Sequence, residues 1–217
     1  MEIKVCKIEL EDLKLSSSYA AKIRGYVGNK YREYTILHNH LQDKFIYRYP
    51  KVQYKVIKNK PIIIGINEAT DIISNIALKD DKIILNDKEY NIYQKKIEKY
   101  TQDIKTVDDY VTYEFLTPWV ALNQNNISKY DKSNNIEKED LLKKILIGNV
   151  LSLAKGLDYT IDKKINCWIN LSEVYVKLKG IKHKAFKGQF KINIEIPDYF
   201  GVGKSVSRGF GAIKKLN

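Results

Sequence analysis

Residues 186–196 alternate without a break. Phe186, Gly188, Phe190, Ile192, Ile194 and Ile196 are apolar or small, and Lys187, Gln189, Lys191, Asn193 and Glu195 between them are polar. A period of two sustained over such a run is the pattern of a strand in a sheet with one buried and one solvated face. That strand anchors the reading of everything before it. Residues 1–10 read as a strand, followed by a helix for which Ser16, Ser17 and Ser18 offer N-caps. Two β-rich runs come next. In residues 46–58, Val52, Tyr54 and Val56 fall on one face with Gln53 and Lys55 on the other, and residues 61–66 are apolar and β-branched. Residues 68–78 place Ile72, Ile73, Ile76 and Ala77 at helical spacing, and residues 82–99 look like a hairpin turning at Asn86-Asp87.

The polar, aperiodic stretch 100–109 reads as a module boundary. Beyond it the plan repeats. Residues 111–122 form a strand, and residues 136–157 a helix burying Leu142, Ile145, Leu146, Asn149, Val150 and Leu153. Residues 164–178 and 186–196 supply two more strands, and a short one closes the chain at 212–216. The expected fold is therefore α+β: tandem duplicated ferredoxin-like (βαββαβ) modules, 1–103 and 104–217, with a C-terminal glycine-rich loop.

The chain has 217 residues and a net charge of +12, which points to a polyanionic partner. The charge is concentrated. Residues 22–60 hold ten Lys/Arg against two acids and residues 180–217 eight against two, so the remainder is slightly acidic. Such clustering suggests two segments sharing an anion-binding face. Lys30, Arg32, Lys44, Arg48 and Lys51 in the first stretch, and Lys187, Lys204 and Arg208 in the second, are the candidates for phosphate contacts. Tyr31, Tyr34, Tyr47, Tyr49, Tyr54 and Tyr199 lie in or beside the basic stretches, and two or three of them are expected to stack on bases. No apolar run is long enough to span a membrane, and the start lacks a signal-peptide pattern, so a cytoplasmic protein is expected. Cys6 and Cys167 are too isolated for a zinc site and read as reduced core thiols.

The glycine-rich loop runs through Gly201, Gly203, Lys204, Ser205, Ser207, Arg208, Gly209, Phe210 and Gly211. Glycines permit close backbone approach, so amides there can converge on a phosphate while Lys204 and Arg208 neutralise it and the serine hydroxyls donate. It is not a nucleotide P-loop, because no helix can follow its Gly-Lys-Ser so near the end of the chain. No cofactor is expected. In this loop the sequence resembles the repeat-cleaving endoribonucleases of CRISPR systems, within the repeat-associated mysterious protein superfamily. The resemblance is carried by Gly201, Gly203, Lys204, Arg208, Gly209, Phe210 and Gly211. Phe115-Leu-Thr-Pro118-Trp119 and Arg24-Gly25-Tyr26-Val27-Gly28 support it. It implies a paired ferredoxin-like fold holding single-stranded or weakly structured CRISPR repeat RNA. A CRISPR effector complex and a second copy of the chain are further candidate partners.

The three histidines, His38, His40 and His183, all lie inside the basic stretches. Cutting RNA without a metal requires a base for the ribose 2′-hydroxyl, an acid for the leaving 5′-oxygen and cations around phosphorus. Histidine serves both proton roles near neutrality. The family resemblance favours the region after the first helix, which makes His40 the leading base or acid, His38 its partner and Tyr47 a positioning or proton-donating group. A metal site built on this His-x-His would need a third ligand, and Asp43 is the one carboxylate close by in sequence, so none is expected. The expected activity is metal-independent cleavage of precursor CRISPR RNA within its repeats, giving a 2′,3′-cyclic phosphate. The alternative is a non-catalytic RNA-binding subunit of an effector complex.

Overall fold

The computed structural model describes residues 1–37, 49–178 and 180–216 in full, and residues 40, 41, 44 and 45 by backbone alone. It divides into two compact units. One comprises Glu2–Asp103 with Val206–Gly209, and the other Ile104–Ser205 and Phe210–Asn217 together with Met1.

In the first unit the chain runs through β1 (Glu2–Leu10), α1 (Tyr19–Lys30), the two-residue strands β2 (His40–Leu41) and β3 (Lys44–Phe45), β4 (Val52–Ile57) and β5 (Lys60–Ile66). It continues through α2 (Ala69–Lys79), β6 (Lys82–Leu85), β7 (Lys88–Asn91) and β8 (Lys95–Asp103). The main sheet has the order β4-β5-β1-β8 and is antiparallel throughout. That is the ferredoxin-like arrangement, with β2-β3 and β6-β7 as inserted hairpins. The second hairpin turns at Asn86 and Asp87, both at positive φ (52° and 60°), the geometry of a two-residue primed turn. β1 is central, so Val5, Cys6, Lys7 and Ile8 are buried in succession. The Lys7 ammonium is matched there by Glu9 at 2.8 Å and Glu98 at 2.6 Å.

The second unit contains β9 (Lys105–Phe115), α3 (Gln124–Lys132), α4 (Asn135–Gly156), β10 (Cys167–Leu178), β11 (Ile181–Glu195) and β12 (Ile213–Lys215), with sheet order β10-β11-β9-β12. Strand for strand this repeats the order of the first unit. Besides the inserted hairpins of the first unit and the extra helix α3 of the second, the main departure is that, where the first unit has α2 before its last strand, the second has the glycine-rich loop and a single 3-10 turn, Val206–Arg208. α4 opens with a reciprocal cap. The Glu137 amide donates to Asn134 Oδ1 and the Asn134 amide to Glu137 Oε2, both at 3.0 Å.

Four local expectations change. The serine cluster does not cap α1 through a side chain, because Ser18 already has helical dihedrals (φ −63°, ψ −20°) and a capping side chain needs an extended residue. Carbonyls of Ser16 and Ser17 accept from Tyr19 and Ala20 instead. The stretch 100–109, read as an aperiodic module boundary, is extended on both sides of the point where the two units divide. It is the end of β8 and the start of β9, joined at the fully buried Ile104. α3 has no counterpart in the sequence reading, since Tyr130 is its single buried residue and no apolar stripe marks it. Gln53 and Lys55, placed by alternation on a polar face, are both completely buried. No described helix is long and apolar enough to cross a membrane.

Candidate functional site

The glycine-rich loop is seated on an aromatic core in the second unit. Phe115 stacks on Trp119 at 5.4 Å, Trp119 lies 5.9 Å from Phe186, and the Trp119 indole N–H donates to Asn149 Oδ1 at 3.0 Å. The loop backbone is tied down around this core. The Val202 amide donates to the Gly211 carbonyl (2.8 Å), Gly211 to Pro118 (2.9 Å) and Lys204 to Val120 (3.2 Å). Gly211 sits at φ +64°, and a Cβ there would lie 2.0 Å from the Val202 oxygen, so no other residue fits. The amides of Val202, Lys204, Gly209 and Gly211 are all spent on carbonyls of the chain. An anion at this loop would therefore have to meet other amides of the loop or its side chains. Lys204 is exposed; its ammonium donates to the Leu122 carbonyl at 3.2 Å, and partial burial lowers its pKa. Ser205, at φ +57°, and Ser207 are half-buried, and Gly201 is buried and bridged to Ala212.

Four residues of the loop, Val206–Gly209, belong to the first unit, where their 3-10 turn packs on α1 and β4. Gly209 makes this approach feasible. At φ +98° its hypothetical Cβ would lie 2.7 Å from Cβ of Ala20 in α1. The turn brings Arg208 beside Arg24 of α1. The Arg24 guanidinium is shifted below its ordinary pKa, first by burial and next by the positive charge of Arg208, while Tyr54 acts the other way. Two guanidiniums in a half-buried position repel each other in the free protein, and an anion between them would relieve the repulsion. Sequence reading named Arg208 but gave Arg24 no role in binding, because pairing across the length of the chain leaves no mark on local spacing.

Tyr54 connects this pair to the histidine segment. It is fully buried in β4, with its hydroxyl donating to the Leu37 carbonyl over a long 3.5 Å, and burial raises its pKa far above the tyrosine norm. Leu37 is itself buried, at the end of a 3-10 turn, Thr35–Leu37, that follows α1. The chain beyond it holds His38, His40, Lys44, Tyr47 and Arg48. His38, Tyr47 and Arg48 lie outside the described residues. His40 and Lys44 are described by backbone alone, with His40 opposite Phe45 and Leu41 opposite Lys44. The segment returns through Lys51, whose carbonyl accepts from the Ile66 amide at 2.9 Å. Both ends of it are thus fixed to the β4 side of the first sheet.

The remaining candidates are scattered. The Lys30 ammonium, at the end of α1, donates to Asp80 at 2.7 Å, and the Tyr31 hydroxyl donates to the same oxygen. Lys51 is nearly buried where a phosphate contact wants an exposed cation. Arg32 and Lys187 are exposed. Among the tyrosines, Tyr54 is core rather than a stacking surface, whereas Tyr34 is exposed. The two thiols are free and buried, and burial pushes both pKa values up to about 11. Among the described residues no three of His, Cys, Asp and Glu gather in a way that could hold a metal. His38, His40 and Asp43, the group weighed for that role, fall outside them.

Lys55 is the unusual titratable group near the loop. Its side chain is fully buried, its ammonium donates to Gln53 Oε1 at 2.9 Å, and burial alone brings its pKa down to about 7. Its Cα is 3.8 Å from the position a Gly209 Cβ would take.

Comparison with known proteins covers the whole chain. The Cas6b N-terminal domain matches residues 1–103 and the Cas6b C-terminal domain residues 105–216. A crystal structure of Cas6b superposes with a TM-score of 0.95 at 38% identity, and one of CRISPR RNA processing endoribonuclease Cas6b with a TM-score of 0.82 at 34%. Each covers 100% of both chains. The uncharacterized protein MJ0978 of Methanocaldococcus jannaschii is 36% identical over 143 residues, 62% of this chain and 97% of that protein.

Proposed function

The chain belongs to the Cas6b family of CRISPR RNA-processing endoribonucleases, and from that membership we propose that it cuts precursor CRISPR RNA within each repeat without a metal. In this reading an imidazole of the His38/His40 pair takes the proton of a ribose 2′-hydroxyl. The 2′-oxygen attacks the adjacent phosphorus, the bond from phosphorus to the 5′-oxygen breaks, and a second group, the other imidazole or Tyr47, protonates the leaving oxygen. The products are a 2′,3′-cyclic phosphate and a 5′-hydroxyl. Arg24 and Arg208 hold the phosphate charge, with Lys204 and the loop serines along the RNA backbone.

One observation supports this most directly. The segment carrying both histidines starts at the Leu37 carbonyl held by Tyr54, and Tyr54 neighbours the Arg24–Arg208 pair. Proton-transfer groups and paired phosphate cations on one frame are what metal-free transesterification needs.

The test is a labelled repeat RNA incubated with the protein in excess EDTA, beside the His38→Ala/His40→Ala double variant and an RNA with 2′-deoxy at the scissile nucleotide. Cutting is expected only with wild-type protein and unmodified RNA. Cutting that stops in EDTA, or that survives the 2′-deoxy substitution, would refute the mechanism. Tight binding with no cutting under any condition would instead indicate a subunit that only holds RNA.

A further inference from the structure

Two large aromatic side chains stand in solvent on the second unit, and neither has been given a role above. Trp168 in β10 is 49% exposed and Tyr110 in β9 is 40% exposed. Their rings meet edge to face across β11, with centroids 4.1 Å apart and planes at 79°. Neither serves the core. Cys167, the neighbour of Trp168, points its thiol at the Lys143 carbonyl of α4, so alternation turns Trp168 to the opposite face of the sheet. On β9, Tyr113 and Phe115 pack against Phe190 in the core, which leaves Tyr110 on the outer face as well.

The charge around the pair is selective. Lys191 lies directly opposite Trp168 in the sheet register, and Lys187 lies four residues along β11 on the same face. Both are exposed, and neither has a hydrogen-bond or ion-pair partner among the described residues. Gln189 stands between them, opposite Asn170 and Glu114. Asp108, on the Tyr110 side, is already matched by Lys163 at 2.7 Å. The face also carries Glu114 opposite Gln189, and the hydroxyl residues Thr112 and Ser172 opposite Lys191 and Lys187.

Exposed aromatic faces beside unpaired lysines, on an open four-stranded sheet, suit unpaired nucleobases better than any other common ligand. Bases stack on the rings and lysines meet the phosphates. We propose that this outer sheet face is a second binding site for single-stranded RNA. A base stacks on Trp168, Tyr110 holds the indole edge-on, and Lys191 and Lys187 take flanking phosphates. The site engages a part of the repeat RNA other than the nucleotides at the scissile bond. The proposal rests on the RNA-binding reading given above.

The chain's two tryptophans make a direct test, because Trp119 is fully buried and only Trp168 is open to a quencher. Acrylamide quenching of tryptophan emission is measured with and without saturating repeat RNA blocked by 2′-deoxy at the scissile nucleotide, with RNA binding followed separately by filter retention. RNA should shield Trp168 and change its emission, and the response should vanish in Trp168→Phe. Trp168→Ala should weaken RNA binding by roughly tenfold, the loss of about one stacked base, and Lys191→Ala should weaken it less and flatten its salt dependence. If RNA is retained while Trp168 stays fully accessible, the second site does not exist and the functional reading stands. If Trp168 is shielded by raising protein concentration without RNA, the face belongs to a second copy and the proposal fails. If no RNA is retained at all, both readings fall.

Discussion

Replacing the buried Lys55 with methionine should remove most of a pH-dependent weakness in the first unit. Among the described residues this ammonium has one hydrogen-bond partner, Gln53, and its pKa falls to about 7 through burial alone. In the unfolded chain it returns to the ordinary value near 10.5. Between those two values the unfolded state binds the extra proton, so stability must rise with pH across that window and be flat below it. At about 1.4 kcal/mol per pKa unit, the group costs about 4 kcal/mol near pH 7.5 and about 1 to 2 kcal/mol near pH 9.5. Cys6 and Cys167, with pKa values raised to about 11, pull the opposite way as the pH passes their unfolded value, but they are common to both proteins. The difference between wild type and variant therefore isolates Lys55. Urea unfolding followed by circular dichroism near both pH values should show Lys55→Met more stable near pH 7.5 by about 2 to 3 kcal/mol, after about 1 to 2 kcal/mol for the donor that Gln53 loses. That advantage should shrink by about 2 to 3 kcal/mol near pH 9.5. Two stability curves that run parallel over this range would show that Lys55 stays charged in the folded protein, and would refute the argument.

Arg24→Ala and Arg208→Ala should each weaken RNA binding to a similar degree for every RNA sequence and reduce the slope of log affinity against log salt by about 0.7, as measured by a salt titration; an unchanged slope would remove that arginine from the phosphate site. Gly211→Ala forces a Cβ against the Val202 carbonyl at positive φ and should cost about 3 kcal/mol or more in thermal unfolding. Gly148→Ala, exposed within α4 with nothing within 4 Å of its Cβ position, should instead raise stability by about 1 kcal/mol.

The strands were legible wherever a single face is buried. The alternation in β11 holds from Phe186 to Ile192, with Lys187, Gln189 and Lys191 exposed as read. It breaks at Asn193, which is nearly buried because its amide accepts from the Asn166 backbone and donates to the Lys164 carbonyl. Gln53 and Lys55 mislead for a related reason. Each supplies part of the other's hydrogen bonding inside the protein, so polarity there does not signal solvent. The glycine-rich loop could be found from composition, but not the packing that its glycines permit: Gly203 against the Trp119 indole, Gly209 against the Ala20 methyl and Gly211 against the Val202 carbonyl. Arg24 was given no binding role, and Trp168 no role at all, because each draws its meaning from a partner far away in sequence, Arg208 in one case and Tyr110 in the other. The histidines were conspicuous for the opposite reason. A rare residue type repeated two positions apart in a basic stretch stands out in the sequence alone.

The assignment of Val206–Gly209 to the first unit also has a consequence in time. A ribosome adding roughly 5 to 20 residues per second needs on the order of 5 to 20 seconds to travel from Asp103 to Gly209. Throughout that interval the histidine segment has already been made, while the turn that packs on α1 and β4, and Arg208 with it, does not yet exist. A chain stalled before Arg208 therefore carries Arg24 without its neighbour. On the reading proposed above, the RNA phosphate gains its second guanidinium only once this turn has been made and packed on α1 and β4.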